Sequence, residues 1–172
     1  MIRNRTFAPE RIAFALFLTA LLCVACNQGL EKASNALIDR TEARWKSNPI
    51  PNYRIVVDVK RPDEFRRNDI TVRQGHVKKA FVQYWDSRKK IWDNTIFLNE
   101  SQALAFTVEG LFDTVRLELE NSGRPVVRVA VTETPPYLQR IVLGQFWQNN
   151  QAVPNSQATV TVQQFETLQP AD

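Results

Sequence analysis

Cysteine is scarce in this 172-residue chain: there are two, Cys23 and Cys26, and none follows Cys26. The chain beyond Cys26 therefore has no disulfide frame and no thiolate metal set. Histidine is rarer still, with His76 alone. A His/Cys zinc site and an HExxH helix are excluded on that count. Glycine numbers only five, and beyond Cys26 no Walker, GxSxG or CxxC pattern occurs. His76 follows Gly75 in "RQGHV" and reads as a solvated turn residue rather than a catalytic base. Acids are plentiful enough for an all-oxygen calcium site, but "RPDEFRRND" has no ligand spacing of that kind. No metal or other cofactor is expected.

Long hydrophobic runs are missing too. The longest, Ile12 to Ala25, has 14 residues. As a helix it rises about 21 Å, short of the roughly 30 Å hydrocarbon core. It follows a basic start with Arg3, Arg5 and Arg11 and ends on small residues before a polar stretch. That is the form of a secretory signal peptide. "CVAC" has the small–any–small look of an export cleavage site. It also resembles a bacterial lipobox, with Val24 and Ala25 before Cys26 and Cys23 where leucine is usual. Both readings cut the Ala25–Cys26 bond. A lone terminal thiol on an exported domain is reactive, and thioether-linked lipid removes it while supplying an anchor. The expected organisation is a signal peptide over 1–25, a lipidated terminus and tether over 26–34, one domain over 35–168 and a tail over 169–172. The protein would be exported and held on the outer side of a bacterial membrane.

The 146 residues after Cys26 suffice for one domain with its own core. They carry 19 basic and 17 acidic residues, so much of the whole-chain charge of +4 leaves with the signal. No global basicity argues for nucleic acid, and none is expected as a partner. Residues 30–47 lack Gly and Pro and space Leu37, Thr41 and Trp45 at helical intervals, with Ile38 beside them. "YRIVVDVKR" alternates as a strand, and "PDEFRRND" reads as a charged loop. "ITVRQGHVKKAFV" reads as a hairpin turning at Gly75. "WDNTIFL" is an optional further strand. "TVEGLFDTVRLEL" is a second helix capped by Thr107, with Val108, Leu111, Phe112, Val115 and Leu119 on one face and Gly123 as its stop. Three strands follow. The fold class is α+β: an antiparallel sheet of about six strands with two helices on one face, in the order α-β-β-β-(β)-α-β-β-β.

These segments resemble, in order, the bacterial domain-of-unknown-function family 6174. The likeness runs over about residues 43–168 and falls on Trp45, Asn52, Tyr53, Gly75, Thr107, Leu111, Phe112, Pro136 and Tyr137. It implies a small secreted or lipid-anchored protein and carries no assigned activity.

The most distinctive surface feature is basic. Ten Lys and Arg residues crowd positions 60–90, with Tyr84, Trp85 and Trp92 close by. The candidate patch is Arg73, Lys78, Lys79, Tyr84, Trp85, Arg88, Lys89, Lys90 and Trp92. It suits an anionic lipid, a polysaccharide or an envelope protein. The plainer reading is the solvated face of a one-sided sheet, with Trp85, Trp92 and Trp147 as core or rim residues. The expected role is a non-catalytic binding module at the membrane surface. The alternative is an exported hydrolase-type enzyme using carboxylates gathered on the sheet, for instance Asp58 with Asp113.

Overall fold

The computed structural model describes residues 29–124 and 126–170. The signal segment, the Ala25–Cys26 bond and Cys26 itself lie outside the described residues. In chain order the elements are β1 (Glu31–Lys32), α1 (Asn35–Ser47), β2 (Tyr53–Lys60), β3 (Phe65–Arg73), β4 (His76–Asp86), β5 (Ile91–Phe97), α2 (Glu100–Leu104), α3 (Val108–Glu120), β6 (Val127–Val131), β7 (Leu138–Leu143), β8 (Trp147–Gln148), β9 (Gln151–Ala152) and β10 (Ala158–Thr167). The class is α+β with a large antiparallel sheet, as expected. Its eight strands run in the order β1-β6-β7-β10-β2-β3-β4-β5. Among the described residues no helix is long and apolar enough to cross a membrane.

The strand and helix counts depart from the expected six and two for local reasons. β5 is a full strand of seven residues. β1 is an addition: Glu31 and Lys32, expected within the tether and the first helix, pair with Val129 and Arg128 of β6. Two charged residues have no apolar alternation to announce a strand. α1 accordingly starts at Asn35, where the Ser34 side chain accepts from Leu37 N. β3 starts at Phe65, inside the expected loop. Three of its polar residues are satisfied across the sheet: Asn68 Nδ2 donates to Val57 O at 3.2 Å, Arg67 binds Asp58 and Asp69 accepts from Arg54. α2 is a third, short helix set by a capping box between Asn99 and Gln102. β8 and β9 form a separate small ribbon around Asn149 and Asn150, both at positive φ.

The core lies between the helices and one face of the sheet. Trp45, Ile38, Phe112, Leu111 and Val115 meet Tyr53, Ile55, Val57, Ile70, Val129 and Ile141 there. Phe165 stacks on Tyr53 at 5.2 Å and on Tyr137 at 5.0 Å, and Trp45 meets both Tyr53 and Phe165 edge-on. The Thr107 hydroxyl accepts from Gly110 N, as the cap predicts. Glu109, in the first turn of α3, accepts from Trp45 Nε1 at 2.8 Å and from the Tyr53 hydroxyl at 3.2 Å. Burial and the adjacent Glu109 charge push the Tyr53 phenol well above its usual pKa. α2 turns into α3 so closely that a Cβ on Gly110 would sit 1.9 Å from Leu104 O. α1 and α3 are also joined by charge, because Arg116 binds both Asp39 and Glu42.

Two outcomes are expected. Phe112→Ala removes a fully buried ring and should cost about 3–5 kcal/mol in urea unfolding. The Arg116 bond, with Lys46 beside it, holds the Glu42 carboxyl below its usual value of 4.5. A lowered carboxylate stabilises fully above the unfolded value and loses that contribution as pH falls through the folded one. Glu42→Gln should therefore flatten the acid limb of stability against pH below 4.5, read as the denaturation midpoint across a pH series.

Candidate binding face of the sheet

Residues paired directly across antiparallel strands share a face. Tyr53, Ile55, Val57 and Val59 turn toward the helices, so Arg54, Val56, Asp58 and Lys60 turn away. Following the register outward, the far face collects Phe65, Arg67, Asp69 and Thr71 from β3, then Lys79, Phe81, Gln83 and Trp85 from β4. Trp92 and Phe97 of β5 complete it.

Two arginine forks cross this face. Arg67 grips Asp58 through Nε and Nη2 at 2.8 and 2.9 Å. Arg54 grips Asp69 at 2.9 and 2.5 Å. Both carboxylates are buried beneath their partners, at 4% and 7% exposure. The paired carboxylates raise both guanidinium pKa values. The Arg67 guanidinium lies 4.3 Å over the Trp92 ring. Trp92 in turn packs edge-on against Phe65 at 4.9 Å and Trp85 at 5.3 Å. A layered stack results: carboxylate, guanidinium, indole, then the surrounding aromatics.

The nine patch residues do not form one surface. Arg73, Lys78 and Lys79 sit at the Gly75 end of the β3–β4 hairpin, and Arg88, Lys89 and Lys90 sit in the β4–β5 turn. Lys79 and Asp86 are seven residues apart along β4, which separates the two groups by roughly 24 Å. Arg73 is engaged by the Gln169 carbonyl. Lys79 lies 5.6 Å over the Phe81 ring. Lys89 pairs with Asp93 at 3.1 Å and Asp86 at 3.6 Å. Arg88 N and Lys89 N both donate to Asp86, and these backbone bonds, the larger from Lys89, hold its carboxyl below the usual range. Tyr84 opposes Arg66 and turns to the helix side. Only Trp85 and Trp92 come together, and Phe65 and Arg67 join them. Trp147 lies on β8, half exposed and away from this stack. His76 opens β4 opposite Arg73 and is exposed.

Asp58 and Asp113 do not meet. Asp58 lies on the uncovered face, whereas Asp113 is on α3 across the sheet with its side chain 70% exposed. The alternation that buries Val57 and Val59 among the helices places Asp58 away from them. Among the described residues no three His, Cys, Asp or Glu side chains gather as metal ligands.

The sequence reading missed Phe65, Arg54 and Arg67 as parts of one surface. Their signal was present: Phe65, Arg67, Asp69, Thr71 and Arg73 recur at period two. It was masked because a charged run resembles a loop. The edge strand β5 adds apolar exposure, with Ile96 at 52% and Phe97 at 76%. No protein-family model matches the chain, and no curated protein matches it either.

Asp58→Ala would strip a buried fork from Arg67. It should cost about 1–3 kcal/mol in chemical denaturation, as expected for charge-assisted hydrogen bonds. Glu133→Ala removes an exposed partner of Arg44 and should cost under about 1 kcal/mol in the same assay.

Proposed function

We propose that this protein is a non-catalytic lipoprotein of the bacterial envelope, cut at Ala25–Cys26 and anchored through lipid on Cys26. Its domain binds another envelope component through the uncovered face of the sheet and its β5 edge. The observation that carries the binding role is the one-sided cover of the sheet. Helices pack on one face, while the other presents a built aromatic and cationic layer beside an edge strand that has no outer neighbour among the described residues. Apolar side chains standing out from an edge strand fit strand addition by an extended polypeptide. An envelope protein is therefore favoured over an anionic lipid or a polysaccharide for this half of the face. The two buried acids on the face, Asp58 and Asp69, are each clamped by an arginine. That arrangement supports charge balance and rigidity rather than proton transfer. The resemblance to family 6174 fits the same location.

The anchor is tested by intact mass and membrane fractionation of the native chain beside Cys26→Ser. The native chain should partition with membranes and weigh residues 26–172 plus acyl chains, and the variant should not. A soluble, unacylated native protein would overturn the anchor. The binding face is tested in cells with a photo-crosslinking residue at Phe97, and at Leu117 as an equally exposed control on α3. Adducts are expected at position 97 and not at 117. Equal labelling at both positions, or none at 97, would remove the β5 edge from the proposal.

A further inference from the structure

The uncovered face has a second half, over β6, β7, β10 and β2, that the aromatic stack does not reach. At its end an open groove of about 640 Å³ is lined by Lys60, Arg61, Arg140, Gln157 and Thr159 among others, and no Asp or Glu lines it. That volume falls within the range of small-ligand sites. The sheet order creates it. Thr159 lies opposite Lys60 on one side and Val142 on the other, and Thr161 lies opposite Arg140. Lys60 and Arg140 thus stand two strands and two residues apart, about 12 Å between Cα atoms. Side chains of that length converge over the gap. Arg128, opposite Val142 on β6, flanks the same spot.

These cations are not neutralised from within. Among the described residues, Lys60, Arg61, Arg128 and Arg140 make no ion pair, unlike Arg54, Arg67, Arg116 and Arg124. Of the acids nearest in the register and the turn, Asp58 is taken by Arg67 and Glu64 by Arg66 at 3.4 Å, while Asp63 accepts from Asn155 Nδ2 at 3.2 Å and pairs with none of the four cations. The groove rim is also fixed. Partly buried Arg124 binds the carbonyls of Gly144 and Ser156, and Gln145 Nε2 donates to Ser156 Oγ at 2.8 Å. A Cβ on Gly144 would come within 2.7 Å of Val126 Cβ, so the strand end is tightly packed.

We propose that this groove binds an anionic, phosphate-bearing ligand. Arginine forks match phosphate oxygens bidentately, and lysine adds a point charge. Like charges held around an uncharged floor repel one another until such a group arrives. The ligand can come from a lipid headgroup or from a soluble phosphorylated molecule. The site is separate from the β5 edge and does not depend on the lipid at Cys26.

The test is calorimetric titration of the full chain in non-ionic detergent with pyrophosphate, and separately with short-chain phosphatidylglycerol against short-chain phosphatidylcholine. Lys60→Glu with Arg140→Glu is compared with Arg88→Glu with Lys90→Glu, which changes charge equally elsewhere. The first pair should weaken binding about tenfold or more, and the second should leave it near native. Pyrophosphate binding with this pattern supports a soluble phosphate ligand. Phosphatidylglycerol binding with this pattern supports a headgroup. Loss in both variant pairs would mean diffuse surface charge, and no binding of either probe, or binding unchanged by the first pair, would equally overturn the site. Circular dichroism checks folding, and Lys60→Gln with Arg140→Gln replaces the first pair if charge reversal unfolds it.

Discussion

Phe165 sits between two tyrosines, and most of the molecule depends on that stack. Tyr53 comes from the start of β2, Tyr137 from the turn into β7, and Phe165 from near the end of β10. Three rings that are far apart in sequence can stack only if β10 lies between β7 and β2. Trp45 then closes the cluster from α1, and Glu109 ties both Trp45 and Tyr53 to the first turn of α3. The cluster therefore fixes which strands neighbour each other and where both long helices rest. A carboxylate near the positive end of α3 is electrostatically apt there. It also satisfies two aromatic donors that burial would otherwise leave without partners.

Once β10 is central, the far face divides into two halves with different chemistry. On the β2–β5 side the acids are covered, each beneath an arginine, and aromatics pack over one of those forks. On the β6–β2 side Lys60, Arg61, Arg128 and Arg140 make no ion pair among the described residues, and the groove floor between them is uncharged. Charge that is balanced internally contributes order, because both partners hold their geometry. Charge that is left unbalanced contributes attraction for something outside the chain. The composition barely hints at this division, since the chain after Cys26 is close to neutral. It arises from register: one strand places Asp58 under Arg67, and the next strand but one places Arg140 beside Lys60.

Both long helices were legible because their apolar spacing and caps are local signals. Leu37, Ile38, Thr41 and Trp45 are buried on α1, and Val108, Leu111, Phe112 and Val115 on α3. The Gly75 hairpin was legible for the same reason. Glu31–Lys32, Phe65–Asp69 and the short α2 were not. Each owes its conformation to partners elsewhere or to a single capping exchange rather than to periodicity. The candidate site was half legible. Trp85 and Trp92 do come together, but nearness in sequence stood in for nearness in space for the lysines and arginines around them. A strand of eleven residues carries its two ends to opposite sides of a domain, and Arg128 and Arg140 enter only through a sheet order that no single segment encodes.

The pairing of β1 with β6 has a mechanical corollary. Ala33 is buried and its N–H donates to Val127 O, so the chain is fastened to the sheet from Glu31 onward. Five peptide units separate Glu31 from Cys26, and covalent geometry limits their reach to about 18 Å. If Cys26 carries lipid, the leash is shorter than the domain is wide. The protein would then be a fixture on the membrane rather than a float above it. The β1–β6 border would stand nearest the headgroups, with β5 seven strands away at the outward rim, where a partner from the surrounding space would meet it first.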